Sequence, residues 1–189
     1  MAQKIKLSTM ADALGVSTAT VSLALRDSPL VADQTRERIK AHAREIGYIY
    51  NRRAASLRTS RSGILGVVVH DIMNPFFAEI LRSIERELDR SRQTFLLSNH
   101  YDQLEKQRDF IDTLLQLGAD GVIMSPAIGT PASDIGICEE NGMPAVLIAR
   151  TVEGAGVPVF RGDDAYGIGL ATDHLISLGH TKIAMVGGT

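Results

Sequence analysis

From Gly63 onward the sequence alternates strand-sized apolar runs with helical stretches, and that alternation leaves few folds open. The runs fall at 64–69, 94–98, 121–125, 145–149, 157–160 and 182–186. Between them lie helical patterns at about 75–92, 104–117, 134–141 and 166–178. Runs such as Gly66-Val67-Val68-Val69 and Ala145-Val146-Leu147-Ile148 lack polar alternation, as strands buried on both faces do. Strand–helix–strand repetition demands right-handed crossovers, which predicts a parallel, doubly wound α/β sheet.

The first fifty residues follow a helical pattern instead. A helix over about 8–14 stops at Gly15, Ser17 stands where an N-cap belongs before a helix over 18–25, and Asp27-Ser28-Pro29 breaks that helix. A third helix starts near Asp33, carries Ile39, Ala43 and Ile46 on one face, and ends at Gly47. Ala11, Gly15 and Val21 stand in the spacing A-x3-G-x5-V. A small Ala lets two helices approach, Gly takes the corner, and Val packs beneath the first helix. With Met10, Leu14 and Leu25 this predicts the miniature core of a helix-turn-helix. It leaves Thr18, Ala19, Ser22 and Leu23 facing outward. The hydroxyls of Thr18 and Thr20 can meet base edges or phosphates, and the Ala19 methyl can meet a thymine methyl. Such corners also occur as plain structure.

Charge separates the same two regions. Residues 1–62 hold eleven basic and five acidic side chains, a balance of +6, whereas 63–189 hold nine basic and seventeen acidic, a balance of −8. The total of −2 hides a basic end suited to nucleic acid, although a solvated basic helical face gives the same count. The boundary lies in a polar, Arg/Ser/Thr-rich segment. Its residues Asn51, Arg52, Arg53, Ala54, Ala55, Ser56, Leu57 and Arg58 make a poor soluble core but a plausible helix against an anionic partner. Leu57 is its only large apolar side chain. It packs on a neighbouring domain if the segment is a simple linker, or enters the minor groove as a wedge if the segment binds DNA. The lone Cys138 excludes an internal disulfide and a cysteine-based metal site. No apolar run approaches the roughly 20 residues of a membrane span, and the N-terminus has no secretory signal, so a cytoplasmic protein without membrane contact is expected.

Several stretches then fall into a known order. The run 14–22 (Leu-Gly-Val-Ser-Thr-Ala-Thr-Val-Ser), Thr35-Arg36-Glu37-Arg38-Ile39, Ile46-Gly47-Tyr48 and 51–59 resemble the lactose-repressor/galactose-repressor (LacI/GalR) family. Asp71-Ile72-Met73-Asn74-Pro75-Phe76-Phe77 and the run 174–180 resemble its effector-binding domain. The resemblance spans the whole chain. It implies an all-α helix-turn-helix headpiece (1–49), a hinge helix (50–62), the first lobe of a periplasmic-binding-protein-like core (63–160) and the incomplete beginning of a second lobe (161–189). It further implies a dimeric transcription factor, usually a repressor, in which Thr18, Ala19 and the residue at 23 read the operator and Leu57 acts as the hinge wedge beside Ala54. The candidate DNA-contacting set is Ser17, Thr18, Ala19, Thr20, Ser22, Leu23, Asn51, Arg53, Ala54, Leu57 and Arg58. The chain departs from the family in three places. Leu23 stands where Arg is frequent; Ala32 stands where a capping Ser is usual, leaving Asp33 as candidate cap; and Ala55 replaces a commonly basic residue.

Ligands of open α/β sheets bind beyond the carboxyl ends of the strands. Here those ends gather His70, Asp71, Asn99, His100, Ser125 and Arg150, a set suited to a neutral polyhydroxylated ligand with Phe76 stacking on a sugar face. With the resemblance, the effector candidates are Asp71, Phe76, Asn99, Ser125, Arg150 and Asp163. The plainer readings are that Asp71 and Asp163–Asp164 cap helices and that Arg150 is an ion-pair partner. Nothing points to an enzyme. There is no Gly-x-x-x-x-Gly-Lys-Ser/Thr loop, Gly-x-Ser-x-Gly elbow or His-Glu-x-x-His, and Gly167-x-Gly169 lies inside a helical stretch. No motif asks for a cofactor or a metal. The expectation is a repressor whose homodimer binds pseudo-palindromic double-stranded operator DNA under control of a small effector, a sugar or sugar derivative. The competing class is a sugar-binding module or enzyme on the same sheet, without DNA binding.

Overall fold

The computed structural model describes residues 5–50, 61–91 and 93–187, and the chain divides into two units between residues 59 and 60. The first contains α1 (Leu7–Leu14), α2 (Thr18–Leu25) and α3 (Asp33–Glu45). Gly15 ends α1 in the left-handed conformation, φ 65°, and its N–H returns to the carbonyls of Ala11 and Asp12. Ser17 caps α2, its Oγ accepting the Thr20 N–H at 3.0 Å. Met10, Ala11, Val21, Ala24, Val31, Ile39 and Ala43 form the buried core, with Leu14, Leu25 and Ile46 packed against it. The A-x3-G-x5-V spacing thus places Ala11 and Val21 as expected. Asp33 does not cap α3. Ala32 holds the cap position without a side-chain bond, and Asp33 is already the first helical residue, its carboxylate paired with Arg36 one turn on. Between α2 and α3, Asp27 takes a left-handed φ of 59° and pairs with Lys40 and, at 3.7 Å, with Arg36.

The second unit is a parallel sheet of order β2-β1-β3-β4-β5, built from β1 (Ile64–Val69), β2 (Thr94–Asn99), β3 (Gly121–Met124), β4 (Ala145–Ile148) and β5 (Val159–Phe160). The intervening helices are α4 (Pro75–Ser91), α5 (Leu104–Leu117), α6 (Ala132–Glu140) and α7 (Asp164–Ser177). Strand pleating divides β1 between two cores. Val68 joins Ile111 and Leu114 of α5 and Ile135 and Cys138 of α6, whereas Val67 and Val69 join Phe77 of α4 and Ile148. Helices therefore cover both faces, as a doubly wound sheet requires. Gly66 permits the closest approach: a Cβ there would stand 2.1 Å from Leu114 Cδ1. Cys138 is fully buried, and burial, with Glu139 nearby, pushes its thiol up to about 11.

β1 keeps its expected bounds, β2 gains Asn99, β3 loses Ser125, β5 keeps only Val159–Phe160 of the expected 157–160, and the two other expected strands change as well. β4 stops at Ile148: the Ala149 N–H still reaches the Phe160 carbonyl at 2.9 Å, but the residue turns left-handed, φ 62°, and the pairing ends there. Residues 182–186 form no strand: they have no ladder partner among the described residues, and Met185 and Val186 are exposed. No helix among the described residues is long and apolar enough to cross a membrane.

Candidate functional site

On the first unit, the cap at Ser17 fixes where α2 begins and so which side chains its first turn presents. Thr18 and Ala19 are exposed, while Val21 and Ala24 are buried. Thr20 is half-buried, its Oγ1 2.9 Å from Ser17 Oγ. Leu23 packs partly against the core. Ser22 departs from its expected outward placement. It is 3% exposed and its hydroxyl lies 3.3 Å from the Tyr50 hydroxyl, a partner 28 residues away. Asn51, Arg53, Ala54, Leu57 and Arg58 lie outside the described residues.

On the second unit, the strand order reverses between β1 and β3, and the loops at that switch point carry a polar network. Its buried member is His100. Its Nδ1 accepts the Asp102 N–H at 3.0 Å, so Nε2 carries the proton donated to the Ser125 carbonyl at 2.7 Å. Burial lowers the pKa of His100 and outweighs the opposing pull of the Ser125 carbonyl and Asp102.

Asp102 is the hub. Tyr101 and Asp102 both adopt left-handed backbone, φ 50° and 58°, which swings the carboxylate over the sheet end. It accepts the Ile128 N–H at 3.0 Å and a forked pair from Arg150 Nη1 and Nη2, the latter at 3.3 Å. Arg150 Nη1 also donates to the Pro126 carbonyl at 3.0 Å. Burial alone raises the Asp102 carboxyl, but the Arg150 bond, the Ile128 amide and the neighbouring charges together bring its pKa below the usual value. One carboxylate thus ties together the loops after β2, β3 and β4. After β1, His70 Nδ1 lies 3.1 Å from Asp102 Oδ2 but out of line for a hydrogen bond. His70 Nδ1 and Ser125 Oγ are buried polar atoms without a hydrogen-bond partner among the described residues, and both sit at this end of the sheet.

Donor atoms of His70, His100 and Asp102 lie within 4.8 Å of one another, close enough for a metal ion. The chemistry opposes one. Both His100 nitrogens are engaged, and a cation would displace Arg150 from Asp102 while facing its guanidinium. Beside the network a cavity of about 380 Å³ is lined by Thr130, Arg150, Thr151, Glu153 and Arg161 together with residues 126–129. It is lined by two arginines and one glutamate, but Arg150 is already paired with Asp102, and the hydroxyls and carbonyls that remain suit a neutral polar ligand.

Of the effector candidates, Arg150 lines that cavity while also serving as the ion-pair partner of Asp102, and Ser125 lies directly behind it in the chain. The others are engaged elsewhere. Asp71 Oδ1 accepts the Met73 N–H at 2.9 Å, Asn99 Oδ1 accepts the Ile72 N–H at 3.1 Å, and Asp163 caps α7 through the Tyr166 N–H at 3.0 Å. Phe76 lies edge-on to Phe77 and faces a shallow depression along α4 with Ile80 and Ile84. Sequence reasoning missed Asp102. The signal was its place three residues past the end of β2 and two beyond His100.

Comparison with known proteins follows the same division. Residues 6–51 match the family model of bacterial regulatory proteins, lacI family. Residues 62–189 match that of periplasmic binding proteins and the sugar binding domain of the LacI family. The chain belongs to the LacI family. It is 35% identical over 188 residues to the maltose regulon regulatory protein MalI of Escherichia coli K12, covering 99% of this chain and 55% of that protein. Against the sucrose operon repressor of Pediococcus pentosaceus the identity is 33%, covering 98% and 55%. In fold it matches a crystal structure of the Lac repressor dimer bound to operator and the anti-inducer ONPF, with TM-score 0.73 at 24% identity, covering 96% and 55%. The chain spans about half the length of the curated relatives it matches. The LacI family is one of transcription regulators rather than enzymes.

Proposed function

We propose that this LacI-family chain acts in a sugar-responsive repressor that binds pseudo-palindromic double-stranded operator DNA as a homodimer. The observation that carries the reading is the first turn of α2, where Thr18 and Ala19 face solvent on a helix whose other face is locked into the core. A recognition helix reads bases from its exposed N-terminal residues in the major groove. Ser17, Thr18, Ala19 and Thr20 are the proposed contacts there, and Leu23 sits at their margin. Ser22 is excluded by its burial. The segment containing Asn51, Arg53, Ala54, Leu57 and Arg58 supplies charge for the phosphates and Leu57 for the minor groove.

The effector is a neutral sugar held at the cavity beside Arg150. Two buried polar atoms without a hydrogen-bond partner among the described residues, His70 Nδ1 and Ser125 Oγ, support a ligand at this sheet end. Control is a matter of linkage: a ligand favouring one arrangement of the core shifts the population that engages DNA. Selection from a randomised duplex pool by the 189-residue chain tests the reading, followed by gel-shift titration with and without maltose or sucrose. Enrichment of an inverted repeat, and a changed base preference for Thr18→Ala, are expected. Equal affinity for every duplex would refute it.

A further inference from the structure

At the end of the sheet opposite the crevice, Asp120 receives an unusual concentration of hydrogen bonds. Its Oδ1 accepts the Ser62 N–H at 2.7 Å and the Ser62 hydroxyl at 3.1 Å, and its Oδ2 accepts the Gly63 N–H at 3.0 Å. The Asp120 N–H donates to the Ile64 carbonyl at 2.7 Å, and the Ile64 N–H donates back to Ser62 Oγ at 3.1 Å. Gly63, left-handed at φ 72°, gives its carbonyl to the Thr94 N–H at 2.9 Å. Every polar group of residues 62 and 63 named here is therefore bolted to the start of a strand. Immediately before them in sequence stands the basic segment that ends at Arg61, which lines a cleft of about 370 Å³ with Gly118, Ala119 and Asp120.

The strands make this placement consequential. β1 runs from Ile64, next to the bolted residues, to Val69, next to His70, while β3 runs from Gly121, next to Asp120, to Met124, next to Ser125. The two are paired in parallel, Leu65 opposite Gly121 through Val68 opposite Met124. Each is a short strut with one end at the crevice and the other at the bolt.

We propose that Asp120 is a positioning residue for operator binding: it fixes the backbone of Ser62 and Gly63, where the sheet joins the basic segment in sequence. This rests on the regulator reading above. Nonspecific binding depends on phosphate charge and tolerates a loose exit, whereas specific binding needs the segment in register.

The test compares the 189-residue wild type with Asp120→Ala and Asp120→Asn. Each is titrated with a duplex selected by the wild type and with a scrambled duplex of the same length, below the melting temperature of each variant. Asp120→Ala loses three bonds to a carboxylate and should weaken the selected duplex about tenfold or more, leaving the scrambled duplex within about twofold. Asp120→Asn keeps an oxygen for Ser62 but turns an amide donor toward the Gly63 N–H, so a smaller loss of the same selectivity is expected. It carries the test alone if the alanine variant does not fold. Unchanged binding to both duplexes, or equal loss on both, would overturn the proposal. A wild type without sequence preference would instead remove the regulator reading, and the role of Asp120 with it.

Discussion

Replacing Ile39 by alanine probes the stability of the helical unit directly. Ile39 is fully buried from α3 into a core that also holds Met10, Val21 and Val31. An Ile→Ala change in such a site costs about 2–5 kcal/mol, the lost transfer energy plus that of the cavity left behind. A unit of about 50 residues has about 2.5–7.5 kcal/mol to lose, taking about 0.05–0.15 kcal/mol per residue. The substitution should therefore remove most of it. In the 189-residue chain, far-UV circular dichroism should show a helical transition displaced downward by about 15 °C or more. The transition of the α/β unit should stay in place. Leu30→Ala, at a position 81% exposed, serves as control and should change stability by no more than about 0.5 kcal/mol. An Ile39→Ala transition within about 4 °C of wild type would refute the assignment of that core.

The α/β unit should respond to pH through His100. Its folded-state pKa lies below the ordinary value of about 6.5, so the unfolded chain takes up the proton first as pH falls. Stability from this residue is complete above about 6.5 and declines as pH drops toward the folded-state value. The melting temperature should fall between pH 7.5 and 5.5, and His100→Asn should flatten that slope. Asp102, with a depressed pKa, contributes above about 3.9 and fails only at lower pH, so it leaves this window alone. Gly66→Ala should destabilise the same unit by about 1–3 kcal/mol in urea titration, since the added Cβ overlaps fully buried Leu114. No loss at all would mean that α5 does not press on β1 as described.

The parts legible in the sequence are those set by neighbours along the chain. Gly15, Ser17 and Gly47 mark helix ends through their own backbone or side-chain preferences, and β1 appears at its observed bounds because four consecutive apolar residues suit a strand covered on both faces. The misreadings have distant causes. Ser22 turns inward to a tyrosine 28 residues away, and Asp102 reaches Arg150 across 48 residues after two successive left-handed residues that are not glycine. Periodicity carries no trace of either. At Asp33 the cause is local. The helix starts one residue before a side chain at that position can cap it, so the carboxylate pairs with Arg36 instead. At the candidate site, strand ends located the crevice and Arg150, but the residue that holds Arg150 came from a loop conformation.

The burial of Cys138 gives the chain a built-in clock. It is the only thiol in the sequence and belongs to the α/β unit, where burial holds it protonated and out of reach of solvent. A thiolate is the reactive form, so an aromatic disulfide reagent in excess can attack only as often as the unit opens. The rate of colour development then reports that opening alone, whatever happens to the three N-terminal helices.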